Sequence, residues 1–179
     1  LICAGGTGGG VYPALAVHSA LTAKVTDVDT LWVGGKGGME ESLVKRQGIA
    51  FASVPAAGLH GVGLSALPGN LLTLGRGVFA ARRILKEFKP DVMFFTGGYV
   101  AAPVAIAGAS IPILLYTPDI EPGLALKSLA RYADVIAVTT SQSQKFFKKK
   151  VRETGYPLRP DLSLWDRLTA TRHLGISGE

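Results

Sequence analysis

The sequence predicts an α/β protein with a Rossmann-like, doubly wound parallel sheet. Apolar strand-like segments alternate with helix-like segments along the 179 residues, as in successive βα units. Two glycine-rich turns, at residues 5–10 and 96–99, each follow an apolar strand-like segment. The carboxyl ends of parallel strands share one edge of a sheet, and open α/β sheets bind ligands at that edge. We therefore expect both turns at one binding edge.

The first elements follow from apolar runs and from the positions of proline and glycine. Pro13 suits the first turn of a helix, where its missing N–H is not needed. Gly48 suits the C-terminal cap of the second helix. The expected order is an apolar first strand, a helix at about 13–23, a strand at 30–33, a helix at 39–47 and a strand at 49–54.

A loop over residues 55–68 and a long helix over residues 70–88 come next. Loops of this length are uncommon unless they bind a ligand or move. His60 lies in the loop, and a solvated surface histidine is the favoured interpretation of it. One stripe of the helix is apolar and should pack on the sheet. It consists of Leu71, Leu74, Val78, Ala81, Leu85 and Phe88.

A second arc of the same helix mixes apolar and cationic residues. It consists of Leu72, Arg76, Phe79, Arg82, Arg83 and Lys86. Such an arc suits an anionic bilayer, with apolar side chains at the acyl boundary and cations at the headgroups. The alternative is that a neighbouring loop covers the two apolar residues. From the sequence alone the two interpretations are balanced, and the family resemblance described below favours the membrane.

The second half of the chain continues the alternation. Lys145 and residues 148–150 form the densest basic run, for which a solvated helix end is favoured over a lipid-facing patch. The expected elements are strands at 91–95, 112–116 and 134–138, and helices at 100–109, from 124 to about 131, at 141–150 and at 162–174.

Composition limits the class of protein and its partners. Apolar residues make up 47% and charged residues 18%, which argues against a disordered chain. The net charge of +6 predicts an anionic partner, namely a phosphate, a nucleic acid or an acidic membrane surface. Nucleic acid ranks last, because no aromatic run is interleaved with the basic residues.

Cysteine usage and hydropathy limit the compartment. Cys3 is the only cysteine, so the sequence predicts neither a disulfide framework nor a thiolate metal cluster. No stretch approaches the ~20 apolar residues of a membrane-spanning helix, and no secretory leader is recognisable. We therefore expect a cytoplasmic protein.

The first glycine turn has the chemistry of an anion site. Its glycines leave no Cβ between the backbone and a ligand, and a helix N-terminus follows with free N–H groups. A tight turn alone would need only one or two glycines. A dinucleotide loop would need glycine where Val11 stands, and a phosphate-binding Walker loop would need lysine there. Neither a nicotinamide cofactor nor P-loop chemistry is expected, and the resemblance described next implies no cofactor and no metal.

The residues around this turn resemble a known signature. Gly5-Gly6-Thr7-Gly8-Gly9-Gly10-Val11-Tyr12-Pro13-Ala14-Leu15-Ala16 is similar to Gly-Gly-Thr-Gly-Gly-His-x-x-Pro-Ala-Leu-Ala. That pattern opens the bacterial peptidoglycan N-acetylglucosaminyltransferases, GT-B enzymes of glycosyltransferase family 28. Gly97-Gly98-Tyr99 matches the second glycine loop of the family, Pro122-Gly123-Leu124 part of a third segment, and Gly155-Tyr156-Pro157-Leu158-Arg159 its hinge.

The resemblance implies a fold and an activity. The family has two Rossmann-like domains, of which residues 1–154 would form the acceptor-binding one, with residues 155–179 as the hinge and the start of a missing donor-binding domain. It moves N-acetylglucosamine, with inversion and without a required metal, to a polyprenyl-diphosphate-linked muramoyl peptide (lipid I to lipid II). The implied partners are UDP-N-acetylglucosamine, mostly through the missing domain, the lipid-linked acceptor and the anionic inner face of the plasma membrane.

The resemblance also implies site residues. The two glycine loops would enclose a diphosphate, Arg159 matches a donor-contacting arginine, and Asp119 stands at a donor-contacting asparagine. The substrate-binding set is Thr7, Gly8, Gly9, Gly10, Gly97, Gly98, Tyr99, Asp119 and Arg159.

The general base is in question because Gly10 replaces the family histidine and Thr117 replaces a glutamate. Asp119 is the candidate catalytic residue, with Glu121 as the other nearby carboxylate. Both can instead cap the following helix. Capping is the favoured interpretation for Glu121, and the choice stays open for Asp119.

Two alternative functions remain beside the family reaction. A divergent relative would keep the phosphate-binding loops and act on another lipid-linked acceptor. A non-catalytic half of a split glycosyltransferase would anchor a separate catalytic chain at the membrane. A second α/β domain with its own glycine loop would distinguish an enzyme from an anchor.

Overall fold

The structure, a computed structural model, describes residues 1–6, 8–56, 67–159 and 165–176. Within these residues, parallel strands pair into one seven-stranded sheet. The strands are β1 (Ile2–Cys3), β2 (Leu31–Gly35), β3 (Ala50–Val54), β4 (Met93–Phe95), β5 (Ile113–Thr117), β6 (Val135–Val138) and β7 (Val151–Glu153).

Helices connect these strands and follow the last one. They are α1 (Gly8–Lys24), α2 (Glu40–Arg46), α3 (Leu67–Phe88), α4 (Ala101–Ala107), α5 (Leu124–Leu129), a 3₁₀ helix at Ser141–Phe146 and α6 (Arg167–His173). The predicted α/β class and doubly wound parallel sheet are confirmed.

The strand order is β3-β2-β1-β4-β5-β6-β7, so the direction of winding reverses between β1 and β4. Ile2 pairs with Trp32 of β2 on one side and with Phe94 of β4 on the other. The crevice outside the carboxyl ends of the strands at such a reversal is where doubly wound sheets bind ligands. The loops that follow β1 and β4 therefore define the candidate site.

Successive strand residues are buried in two separate hydrophobic cores, one on each face of the sheet. Cys3 and Phe95 belong to the first core, whereas their neighbours Ile2 and Phe94 belong to the second. Burial on both faces explains why the strands read as continuous apolar runs rather than as alternating ones. The Trp32 indole lies in the second core and donates from Nε1 to the Ala4 carbonyl at 2.9 Å.

The start of α1 differs from the sequence-based expectation. The helix begins at Gly8, so Pro13 lies in its interior and the placement of Pro13 in the first turn is wrong. Glycine has low helix propensity, which moved the expected start past the glycines. Burial of Val11, Pro13, Ala14 and Ala16 against the sheet holds the helix from its beginning.

The chain between β6 and the end of β7 also differs. The predicted helix over 141–150 is wrong, because the 3₁₀ helix ends at Phe146 and β7 begins at Val151. The Gln144 side chain stabilises the connection by donating to the Phe147 and Lys149 carbonyls and accepting from the Val151 N–H. An ordinary helix would require those backbone groups for its own hydrogen bonds.

Further boundaries shift at α3 and α6. α3 begins at Leu67, inside the predicted loop of residues 55–68, and His60 lies outside the described residues. α6 begins at Arg167 rather than at 162, because the Asp166 carboxylate accepts from the Thr169 N–H at 2.7 Å as an N-cap. Hydrogen bonds from the Thr169 N–H and the Thr169 hydroxyl hold the pKa of Asp166 below its ordinary value.

The apolar stripe of α3 packs as predicted except at one end. Ala81 and Leu85 are buried in the core, whereas Leu71 is 57% exposed, so its placement in the core is wrong. Gly77 marks the packed face of the helix, since a Cβ there would lie 3.0 Å from the Pro103 Cβ of α4.

Candidate functional site

The two glycine loops meet at the carboxyl edge of the sheet, as the sequence predicted. A Cβ placed on Gly98 would lie 2.5 Å from the carbonyl oxygen of Gly5, which is closer than real Cβ atoms approach. The Thr96 hydroxyl donates to the Gly10 carbonyl at 2.8 Å and ties the second loop to the first turn of α1. Backbone therefore contacts backbone between these loops, and glycine at position 98 is what permits it.

Beside this contact lies a cleft of about 570 Å³, which we call the glycine cleft. It is lined by the loops after β1 and β4, by the loop after β5 and by Tyr156. The predicted site residues that line it are Gly9, Gly10, Gly97, Gly98, Tyr99 and Asp119.

Two described residues of the predicted site, Gly8 and Arg159, do not line the glycine cleft. Gly8 is the first residue of α1, and Thr7 lies outside the described residues. Arg159 places its guanidinium 5.1 Å from the centroid of the Tyr12 ring on α1. This stacking holds the arginine beside the helix that follows the first glycine loop.

The N-terminus of α1 supplies the positive potential of the glycine cleft. The first N–H groups of a helix have no partner within it, and the helix dipole adds partial positive charge at that end. Gly9 and Gly10 line the cleft at that terminus, and the first turn of α1 carries no acidic residue. No lysine or arginine lines the cleft within the part of the chain that the structure describes. An anion would therefore be held by amides rather than by side-chain charges.

Asp119 is the one carboxylate among the described residues that line the cleft. Its side chain is exposed and accepts no hydrogen bond from those residues. The N-cap of α5 is Gly123, and Glu121 pairs instead with Lys127, with Oε1 and Nζ 3.2 Å apart. The interpretation of Asp119 or Glu121 as a helix cap is therefore wrong.

A hydrogen-bonded chain supports the segment that carries Asp119. The Tyr116 hydroxyl lies 2.8 Å from the Thr139 hydroxyl, which donates to the Pro118 carbonyl at 2.8 Å. The Tyr116 hydroxyl also lies 3.2 Å from the carbonyl of Gly155 in the predicted hinge. Burial raises the pKa of Tyr116, so the phenol stays protonated and serves this network.

Thr117 does not supply the missing acid–base group. Its side chain is fully buried, and its hydroxyl has no hydrogen-bond partner within the described residues. Thr117 is also absent from the residues that line the cleft. Its position, where the family signature has glutamate, therefore presents no group to a substrate.

Glu40 is a site-proximal residue that the sequence-based reasoning missed. It is 1% exposed, and its carboxylate accepts from the Gly35 N–H at 2.8 Å and from the Gly6 N–H at 3.4 Å. A Cβ on Gly5 would lie 2.5 Å from its Oε1. The available signal is the run of glycines at 34, 35, 37 and 38 just before Glu40.

Cys3 is not a nucleophile in this site. The thiol is buried at the end of β1, and burial raises its pKa, with the nearby Glu40 charge as the next cause. Among the described residues, no group of three histidine, cysteine, aspartate or glutamate side chains is arranged to hold a metal ion.

The cationic arc of α3, which we call the α3 patch, is open to solvent. Leu72 is 58% and Phe79 is 75% exposed, and most of the loop that could cover them, over residues 55–68, lies outside the described residues. Its four cationic side chains are also exposed: Arg76, Arg82, Arg83 and Lys86. Within the described residues, no helix has the length and hydropathy needed to cross a bilayer.

A second, apolar groove of about 330 Å³ lies next to the glycine cleft. The two share Gly98, Tyr99 and Ala125. The groove continues between α3, α4 and α5, where Leu74 and Ile106 contribute apolar surface. A ligand with both a phosphate and a hydrocarbon part would find both kinds of surface here without a break.

Comparison with known proteins supports the family resemblance described from the sequence. Residues 1–138 match the glycosyltransferase family 28 N-terminal domain. A UDP-N-acetylglucosamine--N-acetylmuramyl-(pentapeptide) pyrophosphoryl-undecaprenol N-acetylglucosamine transferase from Desulforudis audaxviator (strain MP104C) is 42% identical, over 98% of this chain and 48% of that protein. The enzyme of the same name from Roseiflexus sp. (strain RS-1) is 36% identical, over 98% of this chain and 49% of that protein. The chain thus spans about half the length of these relatives.

Solved structures agree on the architecture. Acinetobacter baumannii MurG superimposes with a TM-score of 0.73 at 29% identity, over 88% of this chain and 45% of that chain. The UDP-GlcNAc 2-epimerase from Methanocaldococcus jannaschii superimposes with a TM-score of 0.57 at 12% identity, over 81% of this chain and 40% of that chain. The second similarity shows the fold alone.

The contact between the glycine loops can be tested with two alanine variants. Gly98 and Gly48 both have positive φ, at 87° and 70°, but a Cβ on Gly48 meets no atom within 4 Å. We expect Gly48→Ala to lower the free energy of unfolding by roughly 1 kcal/mol through backbone strain. Gly98→Ala should lower it by roughly 2–4 kcal/mol, because overlap with Gly5 is added. Urea unfolding measures both, and equal losses would contradict the loop contact.

Proposed function

Because this chain belongs to glycosyltransferase family 28 through its N-terminal domain, we propose that it is the acceptor-binding half of an inverting glycosyltransferase. The proposed reaction moves N-acetylglucosamine from UDP-N-acetylglucosamine to a polyprenyl-diphosphate-linked muramoyl peptide. The substrates are those that the names of the relatives contain. The observation that carries the proposal is the glycine cleft, formed by two contacting glycine loops at the sheet reversal.

The diphosphate of the acceptor is assigned to the glycine cleft. Backbone amides at the start of α1 supply donors, and the helix dipole supplies positive potential. The absence of Cβ atoms on Gly9, Gly10 and Gly98 lets phosphate oxygens approach the backbone closely. Such a site holds the diphosphate that all lipid-linked acceptors share, while the sugar and the peptide extend toward the rest of the cleft.

The catalytic assignment is to Asp119. An inverting transfer needs a base for the acceptor hydroxyl proton and positive groups for the leaving diphosphate. Asp119 lines the cleft and is not engaged in a helix cap, so its carboxylate is available to accept that proton. Arg159, held beside α1 by Tyr12, is assigned to the leaving diphosphate of the donor.

The division of the chain into domains is part of the proposal. Residues 1–154 form the acceptor domain, and residues 155–179 form the hinge and the start of a donor domain. The sheet ends at Glu153, and Gly155 follows with a positive φ of 74°. α6 buries none of its residues, which leaves Leu168 and Leu174 exposed for contact with a second domain.

The lipid part of the acceptor is assigned to the apolar surface beside the cleft. A hydrocarbon chain attached to a diphosphate at Gly98 would enter the groove lined by Leu74 and Ile106. The α3 patch would then rest on the anionic inner face of the plasma membrane, which places the protein in the cytoplasm as a peripheral membrane protein.

A non-catalytic anchoring half is the second candidate function. Gly10 presents no side chain at the position of the family histidine, and Thr117 is buried. These two observations favour a protein that binds the lipid-linked acceptor without transferring a sugar to it.

Ligand binding by this chain tests the acceptor assignment. We expect residues 1–179 to bind the lipid-linked muramoyl pentapeptide in detergent micelles, and UDP-N-acetylglucosamine much more weakly, because the donor contacts belong mostly to the second domain. Isothermal titration calorimetry measures both affinities. The chain alone should transfer no sugar, so turnover by it would contradict the two-domain proposal, and failure to bind the acceptor would contradict the assignment of the cleft.

Asp119→Asn in a protein that includes a donor domain tests the catalytic assignment. We expect kcat to fall about 100-fold or more, since a positioned base contributes roughly 10²–10⁴ to the rate. Glu121→Gln is the matched control and should change kcat by less than about threefold, because that carboxylate forms an exposed ion pair. Release of UDP measures the rate. An unchanged kcat in Asp119→Asn removes this residue as the base, and acceptor binding without any transfer supports the anchoring half.

Binding to vesicles tests the α3 patch. Leu72→Ser/Phe79→Ser should weaken co-sedimentation with phosphatidylglycerol-containing vesicles by about tenfold, because two apolar side chains no longer enter the acyl boundary. Val25→Ser/Leu168→Ser removes two apolar side chains that are 45% and 74% exposed elsewhere and should bind as the parent does. Unchanged binding by the folded patch variant rejects the membrane assignment.

A further inference from the structure

The buried carboxylate of Glu40 and the second glycine loop both contact the first glycine loop. It contacts Gly5 and Gly6, while Gly98 contacts the Gly5 carbonyl from the second loop. The order is therefore the Glu40 carboxylate, then the backbone of the first loop, then the backbone of the second loop. A movement of the carboxylate would be passed to both loops, because the contacts that link them are already as close as packing allows.

The hydrogen bonds of Glu40 join two loops that are far apart in sequence. It accepts from the Gly35 N–H at the end of β2 and from the Gly6 N–H after β1. Gly6 has a φ of 88°, and its amide is directed to the carboxylate rather than left for a ligand. At 2.8 Å the Gly35 bond is short and charge-assisted, whereas at 3.4 Å the Gly6 bond is long, and together they hold both loops to the one carboxylate.

The backbone of neighbouring glycines packs closely around the Glu40 carboxylate. A Cβ on Gly34 would lie 2.9 Å from Oε1, and a Cβ on Gly38 would overlap both carboxylate oxygens. Among the described residues, no lysine or arginine forms an ion pair with Glu40. A buried carboxylate without a cation is costly, and hydrogen bonds to glycine amides are what offset that cost here.

We propose that Glu40 is a positioning residue for the diphosphate site: its carboxylate fixes the first glycine loop and, through the Gly5–Gly98 contact, the second. This inference rests on the proposed function, since it assumes that the glycine cleft binds a diphosphate. Glu40 does not contact the cleft itself and acts through the loops.

An electrostatic role and a positioning role of Glu40 predict opposite changes in diphosphate affinity for Glu40→Gln. The carboxylate carries a negative charge near a site for an anion, so removing that charge should strengthen diphosphate binding if charge dominates. Positioning predicts the reverse. Glutamine keeps the shape of glutamate but has one acceptor oxygen, so either Gly35 or Gly6 faces an N–H group and loses its hydrogen bond.

The experiment measures binding of inorganic diphosphate by isothermal titration calorimetry, with urea unfolding of each variant in parallel. We expect Glu40→Gln to bind about tenfold more weakly than the parent chain. Glu41→Gln is the matched control, because the neighbouring carboxylate forms an exposed ion pair with Lys45 and should leave affinity unchanged.

A second variant keeps the test usable if Glu40→Gln does not fold. Gly38→Ala leaves Glu40 in the chain but moves its carboxylate, and Gly38 does not line the cleft. It should weaken diphosphate binding as Glu40→Gln does, whereas Gly37→Ala, with open space around the new Cβ, should not.

The outcomes separate this inference from the proposed function. No diphosphate binding by the parent chain would remove the diphosphate site itself, and the role of Glu40 with it. Binding by the parent that stays equal or becomes tighter in Glu40→Gln and Gly38→Ala would leave the diphosphate site intact and overturn the positioning role. A loss of stability without a loss of affinity would likewise reduce Glu40 to a structural residue.

Discussion

The contact between the backbones of Gly5 and Gly98 is the constraint on which the site depends. β1 and β4 are adjacent parallel strands, which places the loops that leave them less than about 5 Å apart in the plane of the sheet. The chain must turn toward opposite faces at this reversal, and a side chain at position 98 would keep the two backbones apart. Gly98 lets the loops touch, Gly5 makes room for the Glu40 carboxylate, and the glycine cleft forms beside the contact.

A site built from backbone amides separates affinity from specificity. Amides at the start of α1 and glycines without Cβ can hold any diphosphate, so they do not distinguish one sugar from another. Any discrimination between sugars would depend on the side chains that line the cleft, which include Tyr99, Asp119 and Tyr156. The Tyr116–Thr139 network holds the segment with Asp119, so the loop that departs most from the family signature is also one that is firmly supported.

The sequence predicted those parts of the fold that local chemistry determines. The alternation of apolar segments predicted the parallel sheet, and the two glycine turns predicted that the loops after β1 and β4 meet at one edge of it. The predicted start of α1 was wrong because the prediction used the low helix propensity of glycine, which is a local property. The burial of Val11 and Ala14, which stabilises the helix there, depends on the tertiary structure. The role of Glu40 was missed for the same reason: its partner Gly6 is 34 residues away in sequence, and no local pattern marks an acid for burial.

The distribution of positive charge shows how the proposed membrane and substrate contacts differ. The chain carries a net charge of +6, yet no lysine or arginine lines the glycine cleft among the described residues, and four cations lie on the exposed α3 patch. Exposed charges act over a Debye length of about 8 Å at physiological salt and weaken as salt rises. Amides in a cleft act only at hydrogen-bond distance and are screened much less. In the proposed function, the cations would therefore bring the chain to an anionic surface, and the amides would bind a phosphate at short range.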